Sequence, residues 1–296
     1  MASQVLAVIS VVGSDQKGVV ARFATFLAER GVNIIDIEQR VVRGMFLMDM
    51  LVDLRDLSVD LAALMTGLLD TGKAIDMEVR VALHGERKPK SLVILASKEP
   101  HCLVELLEQV KSQKIHAKVL AVIANHPTLE TIAKGYGVPF ECVPSDDIDQ
   151  HFADLGKRLS QLNPDCIALA RYMRILPAEI VAKFRHRVIN IHPSLLPYFP
   201  GAAPYRQAYD SGVRVSGCTA HFVTEQLDEG PVIMQDVFHI DVGSDSLDNV
   251  KLKGVSLEAR TLAEAVRLFV DDELVVVGST VIFKPGVSRF RKQAGQ

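Results

Sequence analysis

From Ser91 onward the chain alternates short β-rich apolar runs with segments of helical apolar spacing, and this rhythm limits the fold most. Leu92–Ala96, Val119–Ala124, Cys166–Ala170 and Val188–Ile191 read as strands. Leu103–Val110, Leu129–Lys134, Ile148–Leu162 and Ala178–Phe184 read as the helices between them. Strands separated by helices need crossover connections, which predicts a largely parallel sheet covered on both faces. Beyond a Pro-rich loop, Tyr205–Tyr209 reads as helical, and Val215–Val223 and Val232–His239 as further strands of a mixed extension. Leu262–Val270 reads as the last helix, before two short strands near Val275–Val277 and Val281–Phe283.

The preceding residues follow another plan. A strand over Leu6–Val12 leads through Gly13–Gly18 into a helix over Val19–Arg30, which Gly31 closes. Asn33–Val42 and Phe46–Leu54 flank a turn at Arg43-Gly44, as a hairpin does. A helix over Ser58–Leu69 and a strand over Ile75–Leu83 complete a βαββαβ, ferredoxin-like pattern. The expected division is a first domain over residues 1–84, a charged Gly/Pro linker GERKPK over 85–90, a second domain over 91–284 and a tail over 285–296.

A chain of 296 residues fits two such domains, and the formal charge of −3 gives no broad basic surface for nucleic acid. No apolar run reaches the roughly 20 residues needed to span a bilayer. Cys102, Cys142, Cys166 and Cys218 form no metal-spaced pairs and read as small buried hydrophobes. With no signal peptide visible, the expectation is a cytoplasmic protein without membrane, nucleic acid or metal.

The chemistry-bearing stretch is Val188–Tyr205, VINIHPSLLPYFPGAAPY, read with LDEGPVIMQ from Leu227. Strand periodicity puts Asn190 and His192 on one face, at the point where the strand opens into a loop. Open α/β sheets collect catalytic groups there. With Asp228 in the later turn, an amide, an imidazole and a carboxylate make a set suited to carbonyl chemistry. A lone histidine at a strand end is more often structural, and that is the reading given to His221. His101 sits where it could touch a ligand or water. Glu229 reads as a turn residue, and Leu195, Leu196 and Phe199 as packing.

Two resemblances sharpen this picture. SDQKGVVARFATFLAERGVNIIDIEQ is similar to the signature of ACT domains, small regulatory modules of amino-acid and one-carbon metabolism. That resemblance implies an amino-acid effector near Asp15, Gly18, Asn33 and Ile34, and pairing of chains into a dimer or tetramer. INIHPSLLP with GCTAHFVTEQLDEGPVIMQ resembles the core of the folate-dependent formyltransferases and formyl hydrolases. The resemblance implies that Asn190, His192 and Asp228 act on the formyl group of 10-formyltetrahydrofolate, with no cofactor beyond this folate. LARYMRILP, Leu169–Pro177, implies folate contacts from Met173, Arg174, Ile175 and Leu176, with Val223, Glu225 and Leu227 on the opposite wall.

The acceptor distinguishes the members of that superfamily. Glycinamide ribonucleotide formyltransferases carry a Gly-Ser-Asn-rich phosphate loop after their first strand. This chain has ASKEPHCLVELL there, with a repelling Glu99 and a Pro100 that lacks an N–H. An ACT domain ahead of such a domain resembles the formyltetrahydrofolate deformylase family, over Val5–Phe283. Two spellings depart from that pattern: IHPSLLP in place of IHHSFLP, and the segment Lys251–Arg260. The expectation is an enzyme that releases formate and tetrahydrofolate. The alternatives are an amine formyltransferase and a non-catalytic folate and amino-acid binder.

Overall fold

The computed structural model describes residues 5–83, 88–199 and 203–284. The GERKPK segment lies partly outside them, and the expected tail lies wholly outside. Packing divides the chain into two units. Among the described residues, one comprises those up to Lys88 with Glu273–Val277 and 282–284, and the other those of Pro89–Asp272 with Gly278–Val281.

The first unit runs β1 (Leu6–Ser14), α1 (Val19–Ala28), β2 (Asn33–Val42), β3 (Met45–Asp53), α2 (Leu61–Lys73) and β4 (Met77–Leu83). Its antiparallel sheet has the order β2-β3-β1-β4, the expected ferredoxin-like arrangement. Arg43 and Gly44 both have positive φ, at 51° and 76°, as a tight hairpin between β2 and β3 requires. Val19, Phe23 and Leu27 of α1 fall at i, i+4 and i+8 and bury against Ile9, Val11, Met48 and Met50 of the sheet. Asp60 caps α2 by accepting from the Ala63 N–H at 2.7 Å. The helix therefore starts at Leu61, three residues later than its apolar spacing alone suggests.

The second unit runs β5 (Lys90–Ala96), α3 (His101–Lys111), β6 (Ala117–Ala124), α4 (Glu130–Gly135), β7 (Phe140–Cys142) and α5 (Ile148–Leu162). It continues through β8 (Cys166–Ala170), α6 (Ala178–Lys183), β9 (Val188–His192), α7 (Pro204–Asp210), β10 (Val215–Phe222), β11 (Val232–His239) and α8 (Leu247–Val270). After α8, β12 (Leu274–Val277), which belongs to the first unit, and β13 (Thr280–Phe283) pair as a two-stranded sheet. The seven-stranded sheet has the order β11-β10-β9-β8-β5-β6-β7. It is parallel from β9 to β7, and β10 pairs antiparallel with both β9 and β11. β5 is laid first, β6 and β7 are added on one side, and β8 and β9 on the other. The crevice where this order reverses lies beyond the carboxyl ends of β5 and β8, the usual ligand position in such sheets. Strand β5 is buried over its last five residues, the all-apolar pattern of a central parallel strand.

Two elements depart from the sequence expectation. The three-residue β7 is too short to show periodicity. Helix α8 begins at Leu247, fifteen residues before the expected start, with Ser246 as its N-cap. Among the described residues no helix is long and apolar enough to cross a membrane.

Candidate active site

Strand β9 delivers Asn190 and His192 to its carboxyl end. Their cross-strand partners on β10 are His221 and Thr219. Asp228 comes from the turn between β10 and β11, in a left-handed conformation with φ 57°. A non-glycine residue held there stores strain, a feature that concentrates at functional sites. Gly230 allows the turn to close, because a Cβ on it would lie 1.6 Å from the Phe222 carbonyl oxygen.

The three expected residues come together. His192 Nδ1 lies 3.2 Å from Asp228 Oδ2, with both side chains nearly buried. The carboxylate therefore accepts from the ring with its proton on Nδ1 and fixes the ring's orientation. His192 Nε2 is buried and has no hydrogen-bond partner among the described residues. A buried nitrogen left without a partner is costly unless a ligand or water meets it. It is the natural donor to a substrate oxygen.

His221 belongs to the same constellation, which its sequence position did not reveal. Its Nδ1–H donates to the Phe222 carbonyl at 3.0 Å, so in the neutral ring Nε2 is an acceptor. Asn190 Nδ2 lies 3.2 Å from that nitrogen, which sets the amide with its NH₂ inward and leaves a second N–H to give. Burial holds the His221 pKa below its ordinary value, with the Phe222 carbonyl and Asp228 opposing the shift. The unfolded chain protonates this ring near 6.5, where the folded chain still resists the proton. The contribution to stability is complete above pH 6.5 and declines as the pH falls below it. Thermal unfolding of His221→Asn should therefore lose part of the acid-side drop in midpoint. An unchanged drop would show that His221 is not its source.

The loop after His192 is tied to β10. Thr219 Oγ1 donates to the Ser194 carbonyl at 2.7 Å and accepts from the Leu196 N–H at 3.0 Å. Ser194 Oγ donates to the Tyr198 carbonyl at 2.7 Å. Such anchoring keeps a loop-borne site in one geometry.

The expected folate residues divide into two groups. Met173, Ile175 and Leu227 are 61%, 67% and 57% exposed, apolar side chains open to solvent among the described residues. Leu176 and Val223 instead pack in the core with Leu169 and Tyr172. Arg174 donates to Ser145 Oγ at 2.9 Å and to the Met173 carbonyl at 3.1 Å, and Glu225 is exposed.

The four expected effector residues do not gather within one chain. The Asp15 N–H donates to the Gly44 carbonyl at 2.8 Å, and Gly18 caps α1 with φ 85°, both at the hairpin-turn end of the sheet. Asn33 pairs with Asp53 at the opposite end of β2, with Ile34 beside it. Nine residue steps of strand separate the two ends, roughly 30 Å.

Comparison with known proteins follows this layout. A formyl transferase family profile matches residues 90–266, and an ACT domain profile matches residues 6–82. The chain is 34% identical over 279 residues to a formyltetrahydrofolate deformylase of Escherichia coli strain K12, spanning 93% of this chain and 97% of the relative. It superposes on a formyltetrahydrofolate deformylase crystal structure from Pseudomonas syringae pv. tomato with a TM-score of 0.86 and 31% identity, over 96% of each chain. Glycinamide ribonucleotide transformylase 1 of Symbiobacterium toebii matches with a TM-score of 0.63 and 33% identity. That match covers 68% of this chain and 96% of the transformylase.

Proposed function

The chain belongs to the formyltetrahydrofolate deformylase family, and from this premise we propose that it hydrolyses 10-formyltetrahydrofolate to formate and tetrahydrofolate. The observation that carries the reading is His192, paired with Asp228 at 3.2 Å and presenting a buried Nε2 that has no partner among the described residues. In the proposed reaction the folate lies against Met173, Ile175 and Leu227. Protonated His192 and Asn190 donate to the formyl oxygen as it gains charge. Asp228 holds the imidazolium and positions the attacking water. The tetrahedral intermediate then collapses to formate as the C–N10 bond breaks, and N10 takes up a proton lost by the attacking water and leaves as tetrahydrofolate. Protein incubated with 10-formyltetrahydrofolate should release formate at a rate that does not depend on added amine. Turnover only in the presence of glycinamide ribonucleotide would establish the transferase alternative instead.

The first unit supports regulation by an amino acid and assembly into a homo-oligomer. Strand β2 is an edge strand with Ile35, Ile37 and Val41 exposed, and α2 exposes Leu61, Met65 and Leu69. An unprotected apolar edge is a template for pairing with another chain. Antiparallel pairing of two β2 strands brings the Asn33 end of one copy toward the Asp15–Gly18 end of the other. An effector contacting both groups therefore needs two chains. Sedimentation should give a dimer or larger species that Ile37→Glu weakens. A monomeric parent protein would remove this route to regulation.

A further inference from the structure

The mechanism leaves the buried charge of Glu258 unused. Glu258 of α8 is 1% exposed and lies on the stripe of that helix that also carries Gly254, Thr261 and Leu262. Three side chains from three other segments converge on its carboxylate. Tyr205 Oη from α7 donates at 2.7 Å, His101 Nε2 at the start of α3 lies at 3.3 Å, and Arg171 Nη1 just past β8 lies at 3.5 Å. Gly254, one turn earlier on α8, makes the approach of Tyr205 possible, because a Cβ there would lie 2.1 Å from the ring.

The register places Arg171 of this cluster level with the triad along the sheet. Leu169 pairs with Asn190, so Arg171 follows β8 level with His192 at the end of β9. Ala96 pairs with Ala170 on one side and Ala124 on the other, so Ser97 and Asn125 continue the same row. The cluster therefore lies near the carboxyl ends of β5 and β8, where ligands enter a sheet of this order, and Arg171 Nε and the Asn125 amide there are buried without a hydrogen-bond partner among the described residues. Arg171 is held at φ 59°, the left-handed region, so its placement is also strained. The donor set does not suit a cation. The Arg171 guanidinium already lies against Glu258, and burial pushes the neighbouring Cys102 thiol well above its usual range.

We propose that His101, Arg171, Tyr205 and Glu258 form a polar plug on the acceptor side of the site and so determine that water, not an amine, takes the formyl group. This rests on the hydrolase reading and deepens it. Opening the plug separates a buried carboxylate from its partners, which is strongly unfavourable, so a bulky acceptor cannot displace it. Water needs no such space.

The test uses the full chain, 10-formyltetrahydrofolate and glycinamide as a small amine probe. If an amine gains access, its nitrogen attacks the formyl carbon and the C–N10 bond breaks. The proton lost by the amine passes to N10, giving N-formylglycinamide and tetrahydrofolate. The intact protein should yield formate alone at every glycinamide concentration. The double variant His101→Ala with Arg171→Ala should make N-formylglycinamide at about one-tenth of the formate or more, in proportion to the amine. Should that variant fail to fold, His101→Ala alone reads the same ratio while Glu258 keeps its contacts with Tyr205 and Arg171. A ratio equal to that of the intact protein in a variant that still releases formate overturns the proposal, as does N-formylglycinamide from the intact protein. An intact protein that releases no formate counts against the hydrolase reading instead. A purely structural cluster would alter stability and total rate but leave the ratio unmoved.

Discussion

Asp228→Asn is expected to lower turnover by about 10³- to 10⁴-fold while leaving folate binding nearly intact. The change preserves shape, so the turn and its left-handed residue can stay in place. It removes the negative charge 3.2 Å from His192 Nδ1, and with it the support for a protonated ring. The amide also offers an NH₂ that can reverse the hydrogen bond and select the wrong tautomer. The apolar surface of Met173, Ile175 and Leu227 is unaffected, so binding should persist. Single-turnover rates together with folate titration separate the two effects. Turnover within a few-fold of the parent would take Asp228 out of the chemistry.

Asn190→Ala should cost on the order of 10²–10³ in rate, the usual loss for one donor to a developing oxyanion. The variant removes the N–H that is left after Nδ2 bonds to His221. Asn190 is only half-buried and lies at the carboxyl end of β9, so the strand should tolerate the change. Replacing His221 by Gln would leave the Asn190 amide in place but not its orientation, and the loss should be smaller. If Asn190→Ala changes the Michaelis constant alone, the amide contributes to binding and not to the transition state.

Much of the site could be read in the sequence because its parts are local. Asn190 and His192 share a face through strand periodicity, and the following prolines mark the loop. Strands β8 and β11 and helix α5 have their expected ends because apolar runs there stop at turn residues. The early start of α8 was hidden because Gly254, Ser256 and alternating charges blur its apolar face. Yet Val250, Gly254, Leu257 and Thr261 are buried at spacings of four, three and four. Glu258 on that face was the available signal for the acceptor-side cluster. Its partners His101, Arg171 and Tyr205 are 157, 87 and 53 positions away. No local pattern reports such pairing. The role of His221 was hidden for the same reason, since it depends on the β9–β10 register. The separation of Asp15 from Asn33 likewise follows from the direction of β2.

The most direct measurement follows the oxygen. Turnover of 10-formyltetrahydrofolate in ¹⁸O-labelled water, without any amine, should give formate carrying one label, in step with tetrahydrofolate. Asp228→Asn should slow that labelled product by the same factor of about 10³ to 10⁴. Formate without the label, or a formyl group released only to an added amine, would contradict hydrolysis at this site.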